Sequence, residues 1–343
     1  MGSDRGAAID PIGDLAPGQE AAEATAGPAT LVIDRWRHAS VRSRIATAAV
    51  QTAVRPLIRA VGPAIGDLLD RAARFERLLG FVRPPRGTHT EAVAFEDFGA
   101  EWVHGAGVAR PRDRVILYLH GGGWLCCGLN THRALTSRIS AAAGIPALSV
   151  DYRMVPAVPF EEEVEDCLTA YRWLLERGTE ARDITIMGDS AGGYLTFATA
   201  LRARADGLPM PAALVGLSGC FDLDLTGKQA HENAKRDPVG ALAVLQLVLE
   251  SFAGHLDTSD PAVSPVRADL SGLPPTLLVA STAEVLYCDS EDLARRLARA
   301  GVPCTLQTWE RQLHVFQAFG RLLPESRASI ADIGAFVRAS SQA

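Results

Sequence analysis

The chain has 343 residues, 48% hydrophobic and 22% charged, a composition that allows one large α/β core or two domains. Its net charge of -6 leaves no basic stripe for nucleic acid or an anionic membrane, so a small neutral molecule fits better than a polyanion. The apolar run at residues 241–249 falls far short of the roughly 20 residues that cross a bilayer, so no membrane span is expected.

The segment MGSDRGAAIDPIGDLAPGQE has neither a basic start nor an apolar stretch, which argues against a secretory signal. Six cysteines, at 126, 127, 167, 220, 288 and 304, form no C-x-x-C pair, and adjacent Cys126 and Cys127 bridge each other only with strain. Free thiols in a reducing cytoplasm are the expectation.

Residues 1–30 carry no sustained apolar period and read as a mobile tail. Residues 31–85 read as helical, forming an N-terminal cap. Val54, Leu57, Ile58 and Val61 make one apolar face, Pro63 breaks that helix, and residues 65–79 begin another. From 86 to 343 short β-rich runs alternate with helical stretches. Residues 93–103 supply one or two strands, and 114–120, 147–150, 184–187, 213–217, 276–280 and 304–309 supply buried ones. Helical stretches at 160–176 and 191–205 lie between them, predicting βαβ units and a mainly parallel sheet covered on both faces. Ligands of such sheets sit beyond the carboxyl ends of the strands.

At one such end stands Gly188-Asp-Ser190-Ala191-Gly192-Gly193, a G-x-S-x-G between a strand and a helix. The tight turn strains Ser190 and exposes its hydroxyl, and the helix start favours developing negative charge. The bland alternative is a chance Gly/Ser turn. A second strand ends in His120-Gly121-Gly122-Gly123-Trp124. Three successive glycines leave backbone N–H groups free to face a cleft, and those of Gly121 and Gly122, with Ala191, are the expected oxyanion hole. A phosphate-binding loop would need G-x-G-x-x-G or a G-K-[ST] ending, and neither occurs. His120 reads as structural, and Trp124 as packing or pocket wall.

HGGGW, then DYR at 151–153, GDSAGG around Ser190 and DPAVSP at 260–265 together resemble the bacterial hormone-sensitive-lipase-like esterases. The resemblance covers roughly residues 85–320. It implies an α/β-hydrolase fold, a cap to which residues 222–258 contribute an insertion, and carboxylic esters of short or medium acyl chains as substrates. Esterases of this kind often pair through the last strands of the sheet, which is compatible with a homodimer. This chain departs from the usual P-E-x-P-F-P after DYR, reading Pro156-Ala-Val-Pro-Phe160-Glu161.

In this fold the triad runs Ser, acid, His along the chain. Of the histidines after Ser190, His231 and His255 lie among polar residues of the insertion, and His231 lacks the partner of a zinc H-E-x-x-H. His314, in Gln-Leu-His-Val-Phe after the last strand, matches the family's H-x-F and is the expected base. The acid lies after residues 276–280, at Glu284 or Asp289. Glu284 keeps the family's register with Leu286 behind it, putting Glu where Asp is usual, whereas Asp289 reads as the N-cap of a helix over 293–300. Acyl transfer through a Ser190–His314–Glu284 triad follows, requiring no metal or cofactor. The same machinery acting on an amide, a lactone or another acyl acceptor is the nearer alternative, and a non-catalytic small-molecule receptor the remoter one.

Overall fold

The computed structural model describes residues 30–54, 73–74, 76–78, 80, 84–109 and 113–340. Residues 1–29 of the expected 1–30 tail and the apolar face from Leu57 to Val61 lie outside the described residues, as do ten of the fifteen positions, 65–79, of the second N-terminal helix. Among the described residues, nine strands form one sheet: β1 (Leu31–Trp36), β2 (His89–Ala94), β3 (Gly99–His104), β4 (Val115–Leu119), β5 (Ala147–Asp151), β6 (Ile184–Asp189), β7 (Ala213–Leu217), β8 (Thr276–Ser281) and β9 (Cys304–Trp309), in the spatial order β1-β9-β8-β7-β6-β4-β5-β3-β2. Pairing is parallel from β1 through β5, and β3 runs against both of its neighbours.

The helices are α1 (Val41–Ala49), α2 (Leu129–Ala143), α3 (Glu162–Glu176), α4 (Ala191–Ala205), α5 (Thr226–Ala230), α6 (Ala241–Phe252), α7 (Tyr287–Arg299) and α8 (Pro324–Ser340). None is long and apolar enough to cross a membrane among the described residues. Strand side chains alternate between faces, and β4 divides accordingly. Val115, Leu117 and Leu119 join the core under α3, α4 and α7, while Ile116 and Tyr118 join the core under α2 and α8. Each such fully buried aliphatic side chain contributes roughly 1.5–3 kcal/mol. Two covered faces explain why the central strands read as continuous apolar runs.

One expectation fails at the start of the described chain. Leu31–Trp36 is a strand, not part of a helix, and pairs in parallel register with Cys304–Trp309. The segment LVIDRW is rich in β-branched and aromatic residues, and Trp36 stacks on Trp309 with ring centroids 4.3 Å apart. β1 therefore occupies the outer edge of β9, the last strand, through which dimerisation is expected. Between β7 and β8 the chain leaves the sheet for α5 and α6, the region read as a cap insertion.

Candidate active site

Ser190 ends β6 and begins α4 with φ 53° and ψ -118°, a left-handed backbone that side chains rarely adopt. The turn is possible because the chain passes very close at Gly192, where a Cβ would lie 2.0 Å from the Leu119 carbonyl oxygen of neighbouring β4. The Ser190 N–H donates to the Leu217 carbonyl at 2.9 Å, which ties the turn to the end of β7. As at any helix start, the first amides lack intrahelical acceptors, and that of Ala191 makes no hydrogen bond among the described residues.

The loop after β4 lies against this turn. A Cβ on Gly121 would sit 2.3 Å from Asp189 Oδ2 and 3.0 Å from Ser190 Cβ, so glycine alone fits. The Gly121 N–H donates to Asp189 Oδ1 at 3.2 Å. This corrects the expected oxyanion hole, because an amide held by a carboxylate is not free to bind a second anion. Gly122 (φ 133°) and Gly123 (φ 62°) follow, and neither N–H makes a hydrogen bond among the described residues. Beyond Gly123 the nearest atom to a built Cβ is Val244 Cγ1 of α6, at 3.6 Å, so the insertion overlies the loop.

Asp189, buried beside Ser190, is a side chain that sequence reasoning missed. It also accepts from the Tyr118 hydroxyl at 2.6 Å and faces His132 Nε2 at 3.3 Å. Burial opposes its ionisation, but the His132 charge and these donors hold its pKa below the ordinary carboxylate value. Burial likewise opposes the His132 charge, and Asp189 outweighs it, raising that imidazole to about 9. His120 is structural, as read. It stacks on Tyr152 at 4.3 Å and donates from Nδ1 to the Gly121 carbonyl at 2.8 Å. Burial lowers its pKa to about 4. The Tyr152 hydroxyl, from the DYR segment, donates to the His120 carbonyl at 2.7 Å. Trp124 is fully buried against Phe160 and Tyr194, which makes it packing rather than pocket wall.

His314 sits in the turn after β9 and Glu284 in the turn after β8. The His314 Nδ1 donates to Glu284 Oε2. The other carboxylate oxygen, Oε1, accepts from the Ser281 N–H and the Ser218 hydroxyl, each at 2.8 Å. Ser218 (φ 49°), which no sequence signal marked, follows β7 directly after the carbonyl that holds Ser190. Burial alone would depress the His314 pKa, but the Glu284 carboxylate raises it above the ordinary imidazole value. Ser190, Glu284 and His314 thus occupy the carboxyl ends of strands in the β6-β7-β8-β9 half of the sheet. No hydrogen bond joins the Ser190 hydroxyl to His314, a contact that in serine hydrolases often tightens only in the substrate complex.

Asp289 lies elsewhere. Helix α7 begins at Tyr287, so Asp289 stands inside its first turn rather than at the N-cap. It forms a buried ion pair with Lys228 Nζ at 2.8 Å and accepts from the N–H groups of Phe221 and Asp222 at 2.8 and 3.0 Å. Its contacts hold the chain after β7 to α7. His255 is exposed beside Glu161, as expected of a surface residue, whereas His231 is half-buried, accepting from the Asn233 N–H at 3.1 Å and packing edge-on against Tyr287.

Residues 116–318 match the α/β-hydrolase-fold family. The chain is similar to esterase LipU of Mycobacterium tuberculosis, 38% identical over 301 residues that span 83% of this chain and 98% of the relative. An acetyl-hydrolase of Streptomyces hygroscopicus is 38% identical over 279 residues, 80% of this chain and 91% of the relative. A crystal structure of an esterase from the bacterial hormone-sensitive lipase family aligns with TM-score 0.78 and 36% identity over 89% of this chain and 99% of that one. On fold, motif and likeness together, the chain belongs to the α/β-hydrolase family and, within it, to the bacterial hormone-sensitive-lipase-like esterases.

Proposed function

We propose that this esterase hydrolyses carboxylic esters of short to medium acyl chains through an acyl-enzyme on Ser190. The observation that carries the reading is the His314–Glu284 pair, whose carboxylate is anchored by two further donors. Glu284 fixes the imidazole with its proton on Nδ1, which leaves Nε2 unprotonated and able to accept. Ser190 attacks the ester carbonyl as His314 takes its proton, and the imidazolium is stabilised by Glu284. The oxyanion binds the N–H groups of Gly122, Gly123 and Ala191, with Asp189 holding Gly121 behind them. His314 then protonates the departing alcohol, and water repeats the sequence on the acyl-enzyme. The helices between β7 and β8 serve as a cap over the site. All six cysteines are free thiols, which agrees with a cytoplasmic setting.

A panel of p-nitrophenyl esters of increasing chain length, together with fluorophosphonate labelling, tests the proposal. Activity peaking at short acyl chains and a covalent adduct on Ser190 are expected. Labelling lost in Ser190→Ala completes the assignment. No hydrolysis across the panel and no adduct would overturn it.

A further inference from the structure

Cys126 and Cys127 follow the glycine loop and belong to no step of the mechanism above. Both are half-buried, whereas Cys167, Cys220 and Cys304 are buried and the half-buried Cys288 donates its thiol to the Val285 carbonyl at 3.0 Å. The Cys126 and Cys127 sulfurs lie 3.9 Å apart, the one sulfur–sulfur contact among the described residues. A direct disulfide would have to close this gap to about 2 Å, on Cα atoms only about 3.8 Å apart where such bonds want about 4.4 Å or more. A single bridging atom fits the gap without that strain. Two thiolates at about 2.3 Å from one atom stand about 3.8 Å apart at the tetrahedral angle, and the narrower pyramid of a trivalent centre draws them a few tenths of an ångström closer.

The pair is also wired to the loop. The Cys126 thiol donates to the Gly122 carbonyl at 3.1 Å, and the Cys126 and Leu125 N–H groups donate to the same oxygen at 3.2 and 3.3 Å. That carbonyl shares a rigid peptide plane with the Gly123 N–H, and the two point in opposite directions. Holding the carbonyl toward Cys126 therefore aims the Gly123 N–H away from it. The neighbouring Cys127 thiol lowers the Cys126 pKa, so this sulfur ionises first.

We propose that Cys126 and Cys127 form a bidentate site for a soft thiophilic group of the trivalent arsenical class, and that occupying it disarms the Gly123 amide. With an organoarsenic oxide, two S–H bonds and the As=O bond break and two As–S bonds form. The oxide leaves with both protons as water, and arsenic stays trivalent. Capture removes the thiol donor from the Gly122 carbonyl and leaves it only the Leu125 and Cys126 N–H groups, which loosens the hold on the peptide plane that aims the Gly123 N–H. The site stands on the thiol geometry alone; its effect on hydrolysis rests on the function proposed above.

The test treats the full chain with phenylarsine oxide and reads intact mass and p-nitrophenyl butyrate hydrolysis. One adduct per chain, with loss of one water, is expected, reversed by dithiothreitol but not by glutathione. Cys126→Ser and Cys127→Ser should each abolish the dithiol-type adduct, whereas Cys288→Ser keeps it. The adduct should lower kcat by about 10²-fold, the scale of one lost oxyanion donor. An adduct that persists in both serine variants, or that glutathione releases, overturns the site. Full occupancy with unchanged kcat overturns the coupling to the loop. A chain inactive before treatment refutes the ester-hydrolase reading, while the mass readout still decides the site.

Discussion

Replacing Glu284 by glutamine changes one atom and should remove most of the activity. The orientation of the new amide is dictated by its surroundings. The Oε1 position receives the Ser281 backbone N–H, which cannot turn round, and the Ser218 hydroxyl, both at 2.8 Å. The amide oxygen must therefore take that side, placing the NH2 group against His314 Nδ1. Two donors cannot share the contact, so Nδ1 must become the acceptor and the imidazole proton moves to Nε2, where it cannot accept from Ser190. Fixing the wrong tautomer in a serine triad costs about 10⁴ in kcat, equivalent to about 5 kcal/mol of transition-state stabilisation. Glu284→Asp keeps the charge but withdraws it by one methylene, and a misplacement of about 1 Å costs about 10²-fold. The assay is kcat for p-nitrophenyl butyrate, with the melting temperature followed to separate chemistry from unfolding. A well-folded Glu284→Gln enzyme within tenfold of the parent would refute the reasoning, since another acid would then be orienting His314.

Asp289→Asn should behave oppositely, with kcat within about tenfold of the parent and stability down by about 3–5 kcal/mol, because Lys228 (1% exposed) is left buried and charged without its partner. Urea unfolding beside the activity assay reads both; a large loss of kcat in a stable variant would contradict the assignment. Because Glu284 raises the His314 pKa and the base must be neutral, kcat/KM should rise with pH through a midpoint above the ordinary imidazole value of about 6.5. A midpoint at or below that value would count against the pairing. His132 carries a stability signature instead. Its folded pKa of about 9 exceeds the unfolded value of about 6.5, so its contribution is complete below the lower figure and is lost as pH climbs through the higher one. Unfolding free energy should fall across that window, and His132→Asn should flatten the fall; an unchanged slope would remove His132 from the Asp189 pair.

Much of the candidate site was legible because local backbone chemistry announces it. Ser190 needs a turn that only flanking glycines permit, and His314 is fixed by chain order. Glu284 followed from register, against the family's usual aspartate. What failed depended on contacts remote in sequence. The free amides of the glycine loop are displaced by one position from those expected, because Asp189, 68 residues away, occupies Gly121. Nothing within HGGGW indicates that partner. The strand at Leu31–Trp36 was missed because an edge strand with one neighbour lacks the continuous apolar run of the central ones, and it adjoins helix-forming sequence. The capping role given to Asp289 failed because α7 starts earlier than its apolar period suggests.

The β1–β9 ladder joins residues from opposite ends of the described chain, Leu31 to Cys304 and Trp36 to Trp309. On a ribosome, β1 emerges long before β9, so the strand must wait with its backbone groups unpaired while all the other described strands are made. Closing so long a loop is entropically late, and until it closes β9 presents an open edge that any extended segment could join. Removing β1 should therefore leave the chemistry intact while making the chain prone to self-association, because it moves the sheet's border from a strand carrying charged Asp34 and Arg35 to the buried strand β9.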